Sequence, residues 1–338
     1  MNSSVKLSII IVSYNTAELL SNCLHSLVET DDHHTEIIVV DNGSQDSSVE
    51  MIQRNYPQIK LLQNEENLGF AAANNQAVIY CKGDYIMLLN SDTVMLEGTV
   101  EKIMAFMDAN EAIGIVGCKL LNTDGSLQPS TTSYPHWLKD TIGIALKGSF
   151  LKNTPFARKF ISTICHLFRL NASRFDAHDV PKEIGFPRGA CFTIRKKVID
   201  LIGFLDESYF FTGEEMDFAY RAKLQGWKVY YYPDAAIIHH DHGASKNMMG
   251  KVFVQTRKSA LLFYQKHYSR SHKVLMKISV SGVLLLQSAM LFVLSMLCWG
   301  RRKHCFARIE SNWYIVRLHF DKTFRKQNVF SQMKFKYQ

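Results

Sequence analysis

Acidic and histidine side chains follow apolar segments at several points along this chain. The clearest is Asp92, which comes after the uninterrupted apolar run 86–89 and the pair Asn90 and Ser91. In open α/β sheets, ligands bind outside the carboxyl ends of the strands. A carboxylate there can hold a divalent cation, and the cation can hold a diphosphate. An Asp after a strand is also a common turn residue or helix N-cap, so the position alone leaves both interpretations open.

Asp41 ends a second apolar segment and precedes the turn residues 42–46. Its carboxylate could accept a hydrogen bond from the N3–H of uracil or thymine, the imide donor of those bases. The segment that ends the first apolar run could form the opposite wall of a nucleotide pocket; it comprises Val12, Ser13, Tyr14 and Asn15. The alternative is an ordinary capped turn, since Ser44 and Asp46 are good N-cap residues.

A third cluster lies in the sequence NLGFAAANN and contains Asn67, Gly69, Phe70 and Asn74. A glycine ahead of a helix of small residues lets a ligand approach the helix N-terminus closely. A loop that merely contains a glycine explains the same pattern equally well.

Three acids, Glu214, Glu215 and Asp217, open a predicted helix after Gly213. Their attraction to the positive end of the helix dipole is a sufficient structural explanation. The functional interpretation is that one of them is a general base, because transfer of a group to an alcohol requires removal of the hydroxyl proton. A fifth cluster, HHDHG at 239–243, predicts either a metal ligand or a polar surface loop.

Alternating strand and helix patterns must position these residues. This order predicts a parallel sheet with right-handed crossovers. Strands are predicted at 7–13, 36–40, 60–63, 84–90, 113–121, 191–195, 228–232 and 236–240, and helices at 16–29, 47–55, 69–81, 97–109, 196–202, 215–224 and 251–267.

Composition indicates a neutral body with a basic C-terminal tail. Ten of the 39 basic residues and only two of the 31 acids lie in 300–338, which leaves 29 of each elsewhere. This balance argues against a nucleic-acid-binding body. The seven cysteines form no CxxC pair, and the apolar run 7–12 is too short for a signal peptide, so we expect a reducing, cytoplasmic location.

Three segments suggest contact with a membrane. Residues 134–180 mix apolar and basic side chains, which predicts an amphipathic insertion, either membrane-facing or ordinary. Residues 278–299 lack charge and as a helix would span ~33 Å. Serines and Gln287 dilute this segment and basic residues flank both its ends, so we favour a helix or hairpin in the cytoplasmic leaflet over a single span or a buried core helix. The basic, aromatic tail suits an anionic membrane surface.

Taken in order, the motifs resemble family 2 inverting glycosyltransferases, and most closely the bacterial rhamnosyltransferase-like branch. The resemblance covers residues 5 to about 268 and rests on IIIVSYN, VVDNGSQD, NLGFAAANN, LLNSDT, Arg188-Gly189-Ala190, FFTGEEMDFAYRAKLQGW and HHDHGAS. It implies an α/β GT-A fold, with a mixed sheet flanked by helices, over 1–268. Residues 269–338 would then be a membrane-associating helical appendage.

The resemblance also implies roles for individual residues. Asp41 would contact the base, and Asp92 and His240 would share Mg²⁺ or Mn²⁺ with the donor diphosphate. Asn90 stands where many relatives carry the first acid of a DxD motif. Glu215 aligns with the catalytic aspartate although it is one methylene longer, so Glu214 and Asp217 stay alternatives. Arg188, with Gly189 and Ala190, would face the acceptor.

The implied function is transfer of a single sugar from a nucleotide-diphosphate donor, with dTDP-rhamnose as a candidate. The implied acceptor is a saccharide linked to polyprenyl diphosphate at the cytoplasmic side of the inner membrane, in the synthesis of a cell-surface, O-antigen-like polysaccharide. Two alternatives stay open. Asn90 and Glu215 allow a catalytically inactive scaffold, and a similar sheet occurs in nucleotidyltransferases, although the Gly-rich basic loop of that class is absent after the first strand.

Overall fold

The computed structural model describes residues 5–29, 34–146, 178–240, 249–297 and 302–321. Its strands are β1 (Leu7–Ser13), β2 (Thr35–Asp41), β3 (Lys60–Gln63), β4 (Tyr85–Asn90), β5 (Thr93–Met95), β6 (Ile113–Leu121), β7 (Leu127–Gln128), β8 (Thr131–Thr132), β9 (Lys182–Glu183), β10 (Phe186–Pro187), β11 (Cys191–Arg195) and β12 (Lys228–His239). Its helices are α1 (Ala17–Glu29), α2 (Ser48–Asn55), α3 (Phe70–Val78), α4 (Thr99–Asp108), α5 (Trp137–Leu146), α6 (Lys196–Ile202), α7 (Glu214–Leu224), α8 (Met249–His267), α9 (Arg270–Leu297) and α10 (Arg302–Phe320).

The chain forms two compact units. The first comprises 1–134 and 173–246, and the second comprises 135–172 and 247–338. The predicted domain boundary near 268 therefore falls inside the second unit. Of the predicted insertion at 134–180, the structure describes α5 in the second unit, and residues 147–177 lie outside the described part of the chain.

One mixed sheet organises the first unit, with the strand order β3-β2-β1-β4-β11-β6-β12-β5. Strands β3, β2, β1 and β4 are mutually parallel, as the alternating pattern predicts. Beyond β4 the sheet becomes mixed, because β11 runs antiparallel to both β4 and β6. The apolar strands are covered by helices, and the core includes Ile9, Ile11, Leu24, Met87 and Ile103.

The strand register brings three predicted site positions to one edge. Ser13 pairs with Asp41, and Val12 pairs with Asn90, so the carboxyl ends of β1, β2 and β4 lie side by side. Parallel strands with continuous apolar sequence are buried on both faces, so their polar residues collect where the strands end. The sheet therefore presents these polar ends together.

The last long strand differs from the prediction. The sequence pattern predicts two strands, at 228–232 and 236–240, with Pro233 and Asp234 between them. The structure has the single strand β12 instead, and a register shift against β6 between Tyr232 and Ala236 accommodates the interruption. The end of β12 pairs with the short strand β5, which the sequence pattern did not reveal.

The second unit is helical. Helices α5, α8, α9 and α10 enclose an apolar core that includes Ile144, Val254, Leu261, Val280 and Ile315. The predicted closing helix at 251–267 is α8 and belongs to this unit. Within the described residues, α9 is the one helix long and apolar enough to cross a membrane by length and composition.

Candidate active site

Asp41 presents an unused hydrogen-bond acceptor at the end of β2. The residue is 2% exposed, and its Oδ2 accepts a hydrogen bond from the Ser44 N–H at 3.0 Å. Its Oδ1 is buried and has no hydrogen-bond partner within the described residues. A buried carboxylate oxygen without a partner is costly, so it is explained best by a ligand that donates to it.

The loop after β1 is tied to the loop after β2 and to the end of β4. Asn15 adopts a left-handed backbone conformation (φ 53°), and its Oδ1 accepts a hydrogen bond from the Gln45 N–H at 2.7 Å. Thr16 Oγ1 lies 2.9 Å from Ser13 Oγ and 3.0 Å from Ser91 Oγ. Beside these, Tyr14 is 44% exposed at the mouth of this edge.

Asn42 organises the NLG segment, although sequence reasoning assigned it no role. It is buried; its Nδ2 donates to Asn67 Oδ1 at 3.1 Å, and its Oδ1 accepts from the Leu68 N–H at 3.1 Å. These bonds hold Gly69 at the start of α3. The position of Asn42 directly after Asp41, the predicted base-binding residue, is the signal that could have identified it.

Gly69 is required where α3 begins. It has φ +90°, and a Cβ at this position would lie 2.7 Å from the carbonyl oxygen of Phe210. The Phe70 N–H donates to that same carbonyl at 2.9 Å, so the first turn of α3 is joined to the loop before α7. Asn74 lies within α3, fully buried, and donates to the Phe70 carbonyl at 2.8 Å.

His239, rather than its neighbour, places an imidazole against Asp92. The Nε2 of His239 lies 3.4 Å from Asp92 Oδ1, whereas His240 contacts Asp92 through a backbone hydrogen bond of 2.9 Å. Gln128 Nε2 donates to Asn122 Oδ1 at 3.1 Å, which directs Gln128 Oε1 toward His239 Nδ1 at 2.7 Å. In the neutral ring, this network puts the proton on Nδ1 and leaves a lone pair on Nε2 facing the carboxylate.

Two facing acceptors suit a cation between them. In the described part of the chain, no three His, Cys, Asp or Glu side chains converge as a complete metal site. Mg²⁺ and Mn²⁺ commonly bind through one or two protein ligands, with substrate phosphates and water supplying the rest. The donor set of Asp92 and His239 therefore fits a divalent cation that also binds a diphosphate, and Gln128 fixes the ring as an outer partner.

The loop Arg188–Ala190 contacts both the end of β4 and the start of α7. The Asn90 N–H donates to the Ala190 carbonyl at 3.1 Å. Gly189 lies directly against Glu215, whose Oε1 would be 3.6 Å from a Cβ at that glycine. The structure thus brings Arg188, Asn90 and Glu215 to the edge of the sheet that carries Asp92.

Glu214 and Glu215 form a hydrogen-bonded carboxyl pair at the first turn of α7. Burial and the neighbouring Glu215 charge raise the pKa of Glu214 well above its usual range, which favours the protonated form of Glu214. Burial also raises the pKa of Glu215, but hydrogen bonds from Glu214 and from the Gly213 N–H (3.0 Å), together with the charge of Arg188, oppose that rise. Glu215 is partly exposed, whereas Glu214 is buried.

The backbone before α7 is strained. Thr212 has φ 62°, which is rare for a β-branched residue, and its Oγ1 is buried with no hydrogen-bond partner in the described residues. Strain of this kind clusters at functional sites. No pattern in the sequence indicates it.

Asp217 has a different environment from the other two acids. It is 1% exposed, and its Oδ2 accepts from Arg221 Nε at 2.8 Å. The remaining guanidinium nitrogens of Arg221 donate to the carbonyls of Ile202 (2.9 Å) and Phe204. Asp217 therefore anchors α7 to the loop after α6.

A mixed sheet of this strand order, covered by helices, defines the GT-A fold. The predicted fold is confirmed by its similarity to mannosyltransferase PcManGT from Pyrobaculum calidifontis, solved in complex with GDP-Man and Mn²⁺. The TM-score is 0.56 at 13% identity, and the match covers 94% of this chain and 88% of that one.

The chain belongs to glycosyl transferase family 2, whose model matches residues 8–200, and a model of glycosyl transferase family group 2 matches 136–316. An N-acetylglucosaminyl-diphospho-decaprenol L-rhamnosyltransferase of Mycobacterium tuberculosis is 23% identical over 88% of this chain and 96% of its own length. Glycosyltransferase GlyG of Streptococcus pneumoniae is 30% identical over 33% of this chain and 38% of its own. The chain is thus a transferase, and the nucleotidyltransferase alternative gains no support.

Proposed function

We propose that this enzyme transfers one sugar, with inversion, from a nucleotide-diphosphate donor to a hydroxyl group of a polyprenyl-diphosphate-linked saccharide. The observation that carries the proposal is Glu215, a partly buried residue whose carboxylate lies against Gly189 at the edge that also carries Asp92. The mycobacterial relative acts on a lipid-linked N-acetylglucosamine, which supports an acceptor of that class. The product would be a cell-surface polysaccharide.

The nucleotide is held at the ends of β1 and β2. The Oδ1 of Asp41, which has no partner among the residues that the structure describes, accepts a hydrogen bond from the N3–H of uracil or thymine, a donor that cytosine lacks. The Asn15 loop forms the second wall, and the Gly69 turn admits the donor to the start of α3. This preference agrees with dTDP-rhamnose as a donor.

The diphosphate is held beside Asp92 and His239. A divalent cation, Mg²⁺ or Mn²⁺, bound by these two residues would neutralise the charge that develops on the departing diphosphate. Asp92 supplies the charge, and His239 supplies a neutral nitrogen whose orientation Gln128 fixes. His240 stays a second candidate ligand from the sequence pattern.

Glu215 removes the proton of the acceptor hydroxyl as that oxygen attacks the anomeric carbon from the face opposite the diphosphate. Protonated Glu214 donates to Glu215 and keeps it oriented. The charge of Arg188 opposes the rise in the pKa of Glu215, and we assign Arg188 to an acceptor phosphate.

The test is transfer from radiolabelled nucleotide sugars to a polyprenyl-diphosphate-linked N-acetylglucosamine with Mn²⁺ present. We expect Glu215→Gln to reduce turnover by about 10²–10⁴-fold with an unchanged melting temperature. Glu183→Gln, which removes an acid from an exposed ion pair with Lys223, is the matched control and should retain full activity. Full activity of Glu215→Gln would overturn the assignment of the base. No transfer and no donor hydrolysis by the unsubstituted enzyme would favour the scaffold alternative.

A further inference from the structure

Helix α9 exposes an apolar face, whereas a helix on a water-facing surface usually exposes its polar face. Every exposed residue that the structure describes between Val274 and Met296 is apolar, glycine or alanine. The most exposed large side chains are between 49% and 68% accessible, and they are Ile278, Leu286, Met290, Phe292, Val293 and Met296. Their spacing places them on one stripe about 27 Å long.

The polar residues of α9 point the other way. Ser281 Oγ lies 2.7 Å from His319 Nδ1 of α10, and Ser288 Oγ accepts from Asn312 Nδ2 at 3.2 Å. Gln287 Nε2 donates to the Ile144 carbonyl of α5 at 2.6 Å. The serines and Gln287 that dilute this segment in the sequence therefore form hydrogen bonds inside the unit, and they do not reduce the apolar character of the outer face.

Two observations identify what covers that face. A continuous stripe of this size is unusual on a protein surface in contact with water. Helix α9 also has no acidic residue, and its first turns contain Arg270, Lys273 and Lys277. An apolar stripe next to basic residues is complementary to the acyl chains and anionic head groups of a lipid bilayer.

The exposed charges of α10 restrict how α9 can lie relative to a membrane. The contacts of Asn312 and His319 show that α10 runs antiparallel beside the middle of α9. Helix α10 also carries Glu310, which is exposed, and Arg317, whose side chain is 61% exposed. If α9 crossed the bilayer, these charges would enter the hydrocarbon with it, which is strongly unfavourable.

We infer that α9 lies in the plane of an anionic membrane leaflet, with its apolar stripe among the acyl chains and with α10 on the polar side. The inference concerns where the enzyme resides and does not depend on the transfer reaction. A polyprenyl diphosphate keeps its reactive end at the head-group level, so a helix at this depth would hold the protein at the level of such an acceptor.

The first experiment measures flotation of the full chain with vesicles of phosphatidylcholine, with and without about one-third phosphatidylglycerol. We expect binding to the anionic vesicles and a loss of about tenfold for each of Leu286→Glu and Met290→Glu. Ile79→Glu is the matched control, because Ile79 is 74% exposed in the first unit and should not affect flotation. Equal binding by all variants would overturn the inference.

The second experiment distinguishes an in-plane helix from a span. Ile278→Cys, Leu286→Cys and Met296→Cys are labelled with a fluorophore, and the unsubstituted chain serves as the labelling blank. Quenching by lipids brominated at different acyl positions should give the same shallow depth at all three sites. A maximum depth at 286, with 278 and 296 near opposite surfaces, would show a span. A concentration-dependent dimer disrupted by Leu286→Glu, with no vesicle binding, would instead assign the stripe to a second copy of the chain.

Discussion

The Asp217→Asn substitution should lower the free energy of unfolding of the transferase without changing the rate of the transfer reaction. The substitution preserves the shape of the side chain and removes its charge. Arg221 then lies beside a neutral partner while its other nitrogens stay fixed on the carbonyls of Ile202 and Phe204. Because position 217 is 1% exposed, water cannot take the place of the lost carboxylate beside Arg221.

The size of the effect follows from the burial of the pair. A charge-assisted hydrogen bond contributes about 1.5–3 kcal/mol, and removing one partner of a fully buried pair costs about 3–5 kcal/mol. The Arg221 side chain is 24% exposed, which partly screens its charge, so we expect a loss of about 2–3 kcal/mol. For a unit of this size, each kcal/mol lowers the melting temperature by about 2–4 °C, which gives about 4–12 °C.

Differential scanning calorimetry, combined with turnover measured well below the transition, separates stability from chemistry. Glu183→Gln is again the matched control, because the exposed Glu183–Lys223 pair (2.9 Å) also involves a basic residue of α7. Its removal should cost no more than about 1 kcal/mol. An Asp217→Asn variant with the parental melting temperature and no turnover would refute the anchoring role and would return Asp217 to the list of candidate bases.

Two further predictions concern the donor loop and the carboxyl pair. Gly69→Ala should weaken donor binding and lower the melting temperature more than Gly125→Ala does. Both glycines have positive φ, but only Gly69 also lies against the Phe210 carbonyl. Calorimetry and donor titration measure the two effects, and equal losses in the two variants would contradict the steric argument. Glu214→Gln should raise the melting temperature. A carboxyl group whose pKa is higher in the folded than in the unfolded protein destabilises the folded state as the pH rises from about 4.5 through the folded-state pKa, and glutamine does not titrate. The gain should vanish near pH 4 and increase with pH, and a pH-independent difference would contradict the assignment of the proton to Glu214.

The sequence predicted the parallel half of the sheet well, because its strands are buried on both faces. The runs in β1, β2 and β4 are continuous and apolar, so both the strand type and the polar residue that ends each one are readable. The GT-A fold and the family followed from the order of the motifs. The edges of the sheet were not readable, because β5, β7 and β9 have two or three residues each and contain no periodic pattern.

Roles within the site were less predictable, because they depend on neighbours far away in the sequence. Nothing in HHDHG distinguishes His239 from His240; Gln128, on a two-residue strand, makes the distinction by directing the ring of His239. The three acids of α7 are equivalent as partners of the helix dipole. Only the spacing of Asp217 and Arg221, four residues apart on a helix, was a local signal for the buried pair.

The environment of each acid, rather than its residue type, gives α7 its chemistry. Asp217 is buried and paired with Arg221, Glu214 is buried with a raised pKa, and Glu215 is partly exposed. The departure from Asp to Glu at 215 is compatible with a base, because the longer side chain turns back to the Gly213 N–H at 3.0 Å. It also occupies space that Gly189, which has no side chain, leaves open. The methylene that weakens the match to the family pattern is thus accommodated by the two glycines that flank the carboxylate.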